Sequence, residues 1–254
     1  MIKEVMANRV NRDNVAVILV EPKLPENIGA VARAMNNMDI RRLIVVNPVN
    51  MDPDRVAKMA TSHSMDILEK MKVHSDLESA LAPFQYIAGT TARVGAMRPA
   101  LTAPRNLAGD LIPISKDNDI AILFGPEDRG LSNDHLRLCH TIINIPTSEF
   151  SSLNLAQAVM IVCYEIFQAK SDAPGASVPR LANSFELEGM YDHLHDVLTR
   201  IGFLNPQNPD RWMLNVRRFF SRLPLQADEV RVIRGICRQI DWYADQAVRK
   251  AKDE

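Results

Sequence analysis

The chain has 254 residues, enough for one large domain or for a domain of about 150 residues with a smaller companion. Apolar residues make up 46%, which supports a packed core and excludes a disordered chain. A net charge of −1 excludes a globally polycationic protein, so any footprint for a polyanion must be local.

The opening stretch MIKEVMANRVNRDN is polar and mixed in charge, unlike a signal peptide, and no apolar run approaches the ~20 residues of a membrane span. A cytoplasmic location is expected. Short β-branched runs then recur: VAVILV at 15–20, LIVVN at 43–47, YIAGTT at 86–91, IAILFG at 120–125 and TIINIP at 141–146. Continuous apolar runs of this length suit strands buried on both faces. Helical patterns separate most of them, at 27–38, 53–60, 76–84 and 131–139. This alternation predicts an α/β domain with a mostly parallel sheet. A further helix, opened by SSLN at 151–154, closes that domain near Lys170, giving expected bounds of 1–170.

SDAPGASVPR at 171–180 has the composition of a linker. Beyond it the strand signals vanish. Residues 185–203, 210–223 and 227–254 read as three helices broken by NPQNP and LPLQ, so 181–254 is expected to form a small all-helical domain. Cys139, Cys163 and Cys237 are far apart and read as buried free thiols. The six histidines show no metal spacing and read as structural or surface residues.

Ligands of open α/β sheets bind outside the carboxyl ends of the strands. Three polar stretches follow strands here: EPKLPENIGAVARAM after VAVILV, FGPEDRGLSND after IAILFG, and PTSEFSSLNLAQAV after TIINIP. Taken singly they are bland. Gly29 reads as a turn glycine, Asn27 as a helix cap, Arg33 as a surface arginine on an apolar helix. Neither a Walker A lysine motif nor GxGxxG is present.

Together and in this order, NIGAVARAM, FGPEDRGL and SSLNLAQAV resemble the three signature motifs of the SpoU/TrmH family of RNA 2′-O-ribose methyltransferases. The opening LVEPKLPENIGAVARAM and the tail RRFFSRL…EVRVIRGICRQI are most similar to the branch that methylates tRNA at nucleotide 32. The resemblance implies a SPOUT fold whose sheet carries a C-terminal trefoil knot, a pocket for S-adenosylmethionine, a homodimer, and no metal. It implies catalytic roles for Arg33, Asn27, Glu127, Ser152 and Asn154. It places Thr90, Thr91, Ala92, Gly125, Ser151, Ser152 and Leu153 around the cofactor. The stretch between Ile145 and Ser152 is one residue shorter than in relatives, so either Asn144 or Ile145 takes the adenine-contacting position. Asp39 stands where relatives often have Gly.

Methyl transfer to a ribose hydroxyl needs an in-line nucleophile whose developing negative charge is offset. The resemblance gives Arg33 this place, either as proton acceptor or as a phosphate- and oxyanion-binding charge. A guanidinium, which keeps its charge, suits the second role. The tail adds a separate signal. Between Arg211 and Arg238 there are seven Arg, no Lys, and only Asp228 and Glu229 as acids. Arg211, Arg217, Arg218, Arg222 and Arg234 are expected to bind RNA phosphates with their forks, while Trp212, Phe219 and Phe220 are expected in a small core. The catalytic motifs alone also fit ribosomal RNA as substrate. A non-catalytic RNA-binding module is disfavoured by the intact motifs, and a flavodoxin-like nucleotide binder by the lack of a phosphate-cradling loop.

Overall fold

The computed structural model describes residues 8–93, 101–171, 177–205, 207–220 and 223–253. Part of the linker composition, at 172–176, and Arg222 of the tail lie outside the described residues. The chain divides into two compact units, Met1–Pro179 and Arg180–Glu254. Among the described residues, no helix is long and apolar enough to cross a membrane.

In the first unit the strands are β1 (Val15–Val20), β2 (Arg42–Val46), β3 (Lys72–His74), β4 (Tyr86–Thr90), β5 (Leu101–Thr102), β6 (Ile120–Phe124) and β7 (Thr141–Ile143). They form one sheet in the order β3-β2-β1-β6-β4-β7-β5, parallel at every pairing. β1 and β6 are buried along their whole length, as their unbroken apolar runs require. The chain builds outward from β1 to β3, then crosses to β4 on the other side. The carboxyl ends of β1, β6, β4 and β7 therefore lie side by side at this reversal.

The helices of this unit are α1 (Pro25–Asn37), α2 (Pro53–Met59), α3 (Met65–Glu69), α4 (Leu77–Leu81), α5 (Pro104–Ile114), α6 (Asn133–Arg137) and α7 (Leu155–Gln168). β3, β5, α3 and α5 were not expected from the sequence. α1 starts two residues earlier than its apolar pattern suggests, because Pro25 suits the first turn, where its missing N–H costs nothing. Its buried face carries Ile28, Val31 and Met35, each fully buried and each worth roughly 2 kcal/mol of apolar transfer. α7 packs on both α1 and α5. Gly29 is no turn residue. A Cβ there would lie 2.0 Å from the Val56 carbonyl oxygen, so this glycine lets α1 approach α2.

The second unit holds α8 (Ser184–Arg200), α9 (Pro209–Phe220) and α10 (Ala227–Asp253). Its core gathers Ala182, Met190, Tyr191, Leu204, Met213 and Val230, with Val216 and Phe220 packed against them. The expected place of the aromatics is corrected here. Phe220 joins the core, but Trp212 is 46% exposed and Phe219 63% exposed. Met213, Val216 and Phe220 follow the three-and-four spacing of one helical face, and Trp212 and Phe219 stand a turn-angle away from it. All three cysteines are free and buried. Burial pushes the Cys139 and Cys163 thiols up to about 12, leaving them unreactive.

Candidate active site

A hydrogen-bonded chain joins the three sequence motifs. The Asn154 side-chain amide donates to Asn27 Oδ1 at 3.2 Å, and Asn27 Nδ2 donates to Glu127 Oε1 at 2.8 Å. Glu127 also accepts from the backbone N–H groups of Lys23 at 2.9 Å and Leu24 at 3.2 Å. Partial burial works against the charge on Glu127. The Asn27 amide and the backbone donors outweigh it and hold the carboxyl below its ordinary pKa. Glu127 thus stays ionised and fixes the loop after β1 to the loop after β6.

Each member of this chain is placed by its local structure. Asn27 sits in the first turn of α1 and is 7% exposed, but it is not the cap; that position belongs to Leu24. Asn154 is the N-cap of α7, where its Oδ1 accepts from Ala156 N and Gln157 N. One side chain therefore caps the helix with its oxygen and holds Asn27 with its nitrogen. Ser151 and Ser152, which precede it, cap nothing and are exposed.

Those serines line a cleft of about 270 Å³ at the carboxyl ends of the central strands. Thr90, Thr91, Ala92, Gly125, Ile145, Ser151, Ser152 and Leu153, all expected from the sequence, line it together with Glu127. Of Asn144 and Ile145, Ile145 lines the cleft, while the Asn144 amide donates to the Thr91 carbonyl at 2.9 Å. Gly125 allows the loop after β6 to fold back, since a Cβ there would lie 2.2 Å from Leu131 N. Thr90 donates its hydroxyl to the Leu123 carbonyl at 2.9 Å, tying β4 to β6 beneath the cleft.

Arg93, Asp128, Arg129 and Leu155 also line the cleft, and sequence reasoning missed them. Asp128 and Arg129 lie within FGPEDRGL and Leu155 within SSLNLAQAV, while Arg93 stands three residues past the end of β4. Arg129 pairs with Glu21, which directly follows β1 in the left-handed region at φ 49°, and Lys23 pairs with Asp128 at 2.6 Å. Among the described residues, no group of three or more His, Cys, Asp and Glu side chains is placed to hold a metal ion.

Arg33 is exposed on α1 and is not among the residues lining the cleft. No hydrogen bond or ion pair engages its guanidinium among the described residues. In the second unit, Arg211 and Arg218 are exposed on α9 and Arg234 is exposed on α10. Arg217 is already engaged. Its fork is bidentate to Glu188, with both contacts at 2.6 Å, and its guanidinium lies 4.4 Å from the centre of the Tyr191 ring. The fork expected to take a phosphate is thus paired within the helical unit.

A cleft at the reversal point of a parallel sheet defines an α/β protein of the kind that holds a ligand over its strand ends. Comparison then supplies the family. The profile of the SpoU rRNA Methylase family matches residues 14–164, and that of the tRNA methyltransferase TrmJ C-terminal domain matches residues 185–253. The chain belongs to the SpoU methylase family. It is 33% identical over 240 residues to the tRNA (cytidine/uridine-2′-O-)-methyltransferase TrmJ of Pectobacterium atrosepticum, covering 92% of this chain and 99% of that one. The TrmJ of Sodalis glossinidius is 36% identical over 236 residues, covering 90% and 91%. The crystal structure of TrmJ from Z. mobilis ZM4 matches with a TM-score of 0.77 at 31% identity, over 89% of this chain and 98% of that one.

Proposed function

We propose that the protein transfers a methyl group from S-adenosylmethionine to a ribose 2′-hydroxyl of tRNA, at nucleotide 32 of the anticodon loop. The observation that carries the reading is the Asn154–Asn27–Glu127 chain, which locks all three motifs together at the edge of one cleft. The tRNA assignment draws on the TrmJ relatives and on the match of the helical tail to the TrmJ C-terminal domain. A tRNA substrate fits a cytoplasmic setting. A homodimer and a trefoil knot in the sheet domain belong to the same proposal, and the exposed Tyr164 and Phe167 on α7 suit a surface that a second copy covers.

The cleft fits such a cofactor. Ile145, Leu153 and Leu155 offer aliphatic walls for a flat heteroaromatic ring, and Ser151, Ser152, Glu127 and Arg93 offer polar partners for a zwitterionic tail. When bound, the cofactor supplies an electrophilic sulfonium methyl. Glu127 and Asn27 hold the loops in place without taking up a proton. Arg33 binds the phosphate beside the target ribose and offsets the charge that builds on the 2′-oxygen. A guanidinium is a stable charge and a poor base.

The test pairs binding with turnover. Calorimetry should show S-adenosylmethionine binding that persists in chelator, and the protein should then label purified tRNA but not ribosomal RNA. Arg33→Ala should lower the transfer rate by about 100-fold or more. Its cofactor affinity should stay within about twofold, because Arg33 lies off the cleft wall. No binding at millimolar cofactor overturns the cofactor assignment, and wild-type turnover in the variant returns Arg33 to an ordinary surface residue.

A further inference from the structure

Two of the aromatic rings that the second unit leaves exposed, Trp212 and Phe219, each directly follow an arginine. Trp212 and Phe219 are seven residues apart on α9, which brings both to one side of the helix after two turns. Each directly follows an arginine, Arg211 and Arg218, and these are exposed and also seven apart. Both rings are braced by an aromatic neighbour. Phe203, itself 59% exposed, meets Trp212 edge-on at 6.4 Å, and Phe220 meets Phe219 edge-on at 5.2 Å. Two large rings are thus presented to solvent in fixed settings, which a helix serving only its own core has no reason to do.

We propose that this side of α9 is a stacking platform for unpaired RNA nucleotides, each Arg–aromatic pair taking one phosphate and one base. An aromatic face stacks on any base that has left a helix and cannot reach bases inside a duplex. The guanidinium of the preceding residue, about 100° round the helix, suits a phosphate flanking the stacked base. The inference rests on the RNA-substrate reading above and assigns the contact with unpaired nucleotides to this side of α9. The rival occupant is a second copy of the chain. A two-fold contact would lay this patch on itself. The arginine rows would then face each other, and α9 has one acid, Asp210, against three arginines. Charge therefore favours a polyanion.

Full-length protein tests this without a methyl-transfer assay. With Trp242→Phe in place, Trp212 is the sole tryptophan. A short single-stranded RNA should quench its emission, and a duplex with the same number of phosphates should not. Trp212→Ala with Phe219→Ala should weaken single-strand binding about tenfold or more and leave the salt slope unchanged. Arg211→Ala with Arg218→Ala should instead lower that slope by about one unit for each contact. Trp212→Phe and Phe219→Tyr should retain binding. Absent quenching, equal quenching by duplex, wild-type affinity in the double alanine variant, or a halved native mass on removing the rings overturns the proposal. A protein that stacks single strands but never methylates tRNA would sink the proposed function and leave this platform standing.

Discussion

Asp39 occupies the position just past the C-cap of α1 with φ at 53°, where glycine alone sits without strain. Its carboxylate compensates by meeting Arg12 at 2.9 Å and Arg41 at 3.3 Å, and the Arg12 guanidinium holds its pKa below the ordinary value. Such exposed pairs contribute under about 1 kcal/mol. Asp39→Gly removes both the strain and the pairs, so unfolding in urea should change by less than about 0.5 kcal/mol. Asp39→Ala keeps the strain and loses the pairs, and should cost about 1 kcal/mol. Equal losses in the two variants would show that the backbone conformation is irrelevant. Glu127 carries a pH dependence of known sign. Its folded pKa lies below the ordinary 4.5, so its contribution is complete above that value and is lost as pH falls through the lower folded value. Glu127→Gln should cost about 2 kcal/mol at neutral pH, because backbone donors lose a charged acceptor. It should also make stability less steep below pH 4.5, and an unchanged acid profile would mean the carboxylate is not held as described.

Helix approach decides the next scale. The same substitution should have opposite signs at two glycines. Gly109 on α5 has open space where a Cβ would go, so Gly109→Ala should stabilise by about 0.5–1 kcal/mol through helix propensity. Gly29→Ala would drive a methyl into the Val56 carbonyl and push α1 off α2, costing about 2 kcal/mol or more. Because α1 also carries Asn27 and Arg33, methyl transfer should fall along with the melting temperature. Similar effects at both sites would mean α1 does not need that approach. What the sequence made legible follows the same logic. β1 and β6 stood out because strands buried on both faces need unbroken apolar runs. β3 and β5 did not, being sheet edges of three and two residues, with Val73 53% exposed. α5 was hidden by prolines at its start and near its end. The lining residues were legible through the resemblance of three polar stretches, each after a strand, to the family's motifs; Thr90, Thr91 and Ala92, at the end of β4, came from that resemblance alone. The exposure of Trp212 and Phe219, and the use of Arg217 on Glu188, depend on how α9 is rotated against its neighbours. The spacing of Met213, Val216 and Phe220 marks one face, but which face turns to the core is set by those neighbours.

At the scale of the whole chain, the division near Pro179 has a local cause. Asn118, 1% exposed, donates from its amide to the carbonyls of Ile114 at 3.1 Å, Val178 at 3.2 Å and Pro179 at 3.4 Å. Val178 N–H donates to Pro113 O at 3.2 Å, and Ser171 N–H to Asn8 O at 2.9 Å. A chain cut at Lys170 keeps the sheet and α7 but loses these bonds around a buried amide, and should be less stable than one cut at Pro179 by about 1–3 kcal/mol. The Pro179 form should unfold cooperatively and bind S-adenosylmethionine as the full chain does, because every residue lining the cleft lies before Ala158 or at it. It should lose tRNA affinity, since Arg211, Arg218 and Arg234 go with the second unit. In a salt titration its log–log slope should flatten by about one unit for each phosphate contact removed. Equal slopes with and without residues 180–254 would mean that the helices supply no phosphate contact. The basic tail would then count only as support for the fold or for a second copy, and the choice of tRNA over ribosomal RNA would rest on the relatives alone.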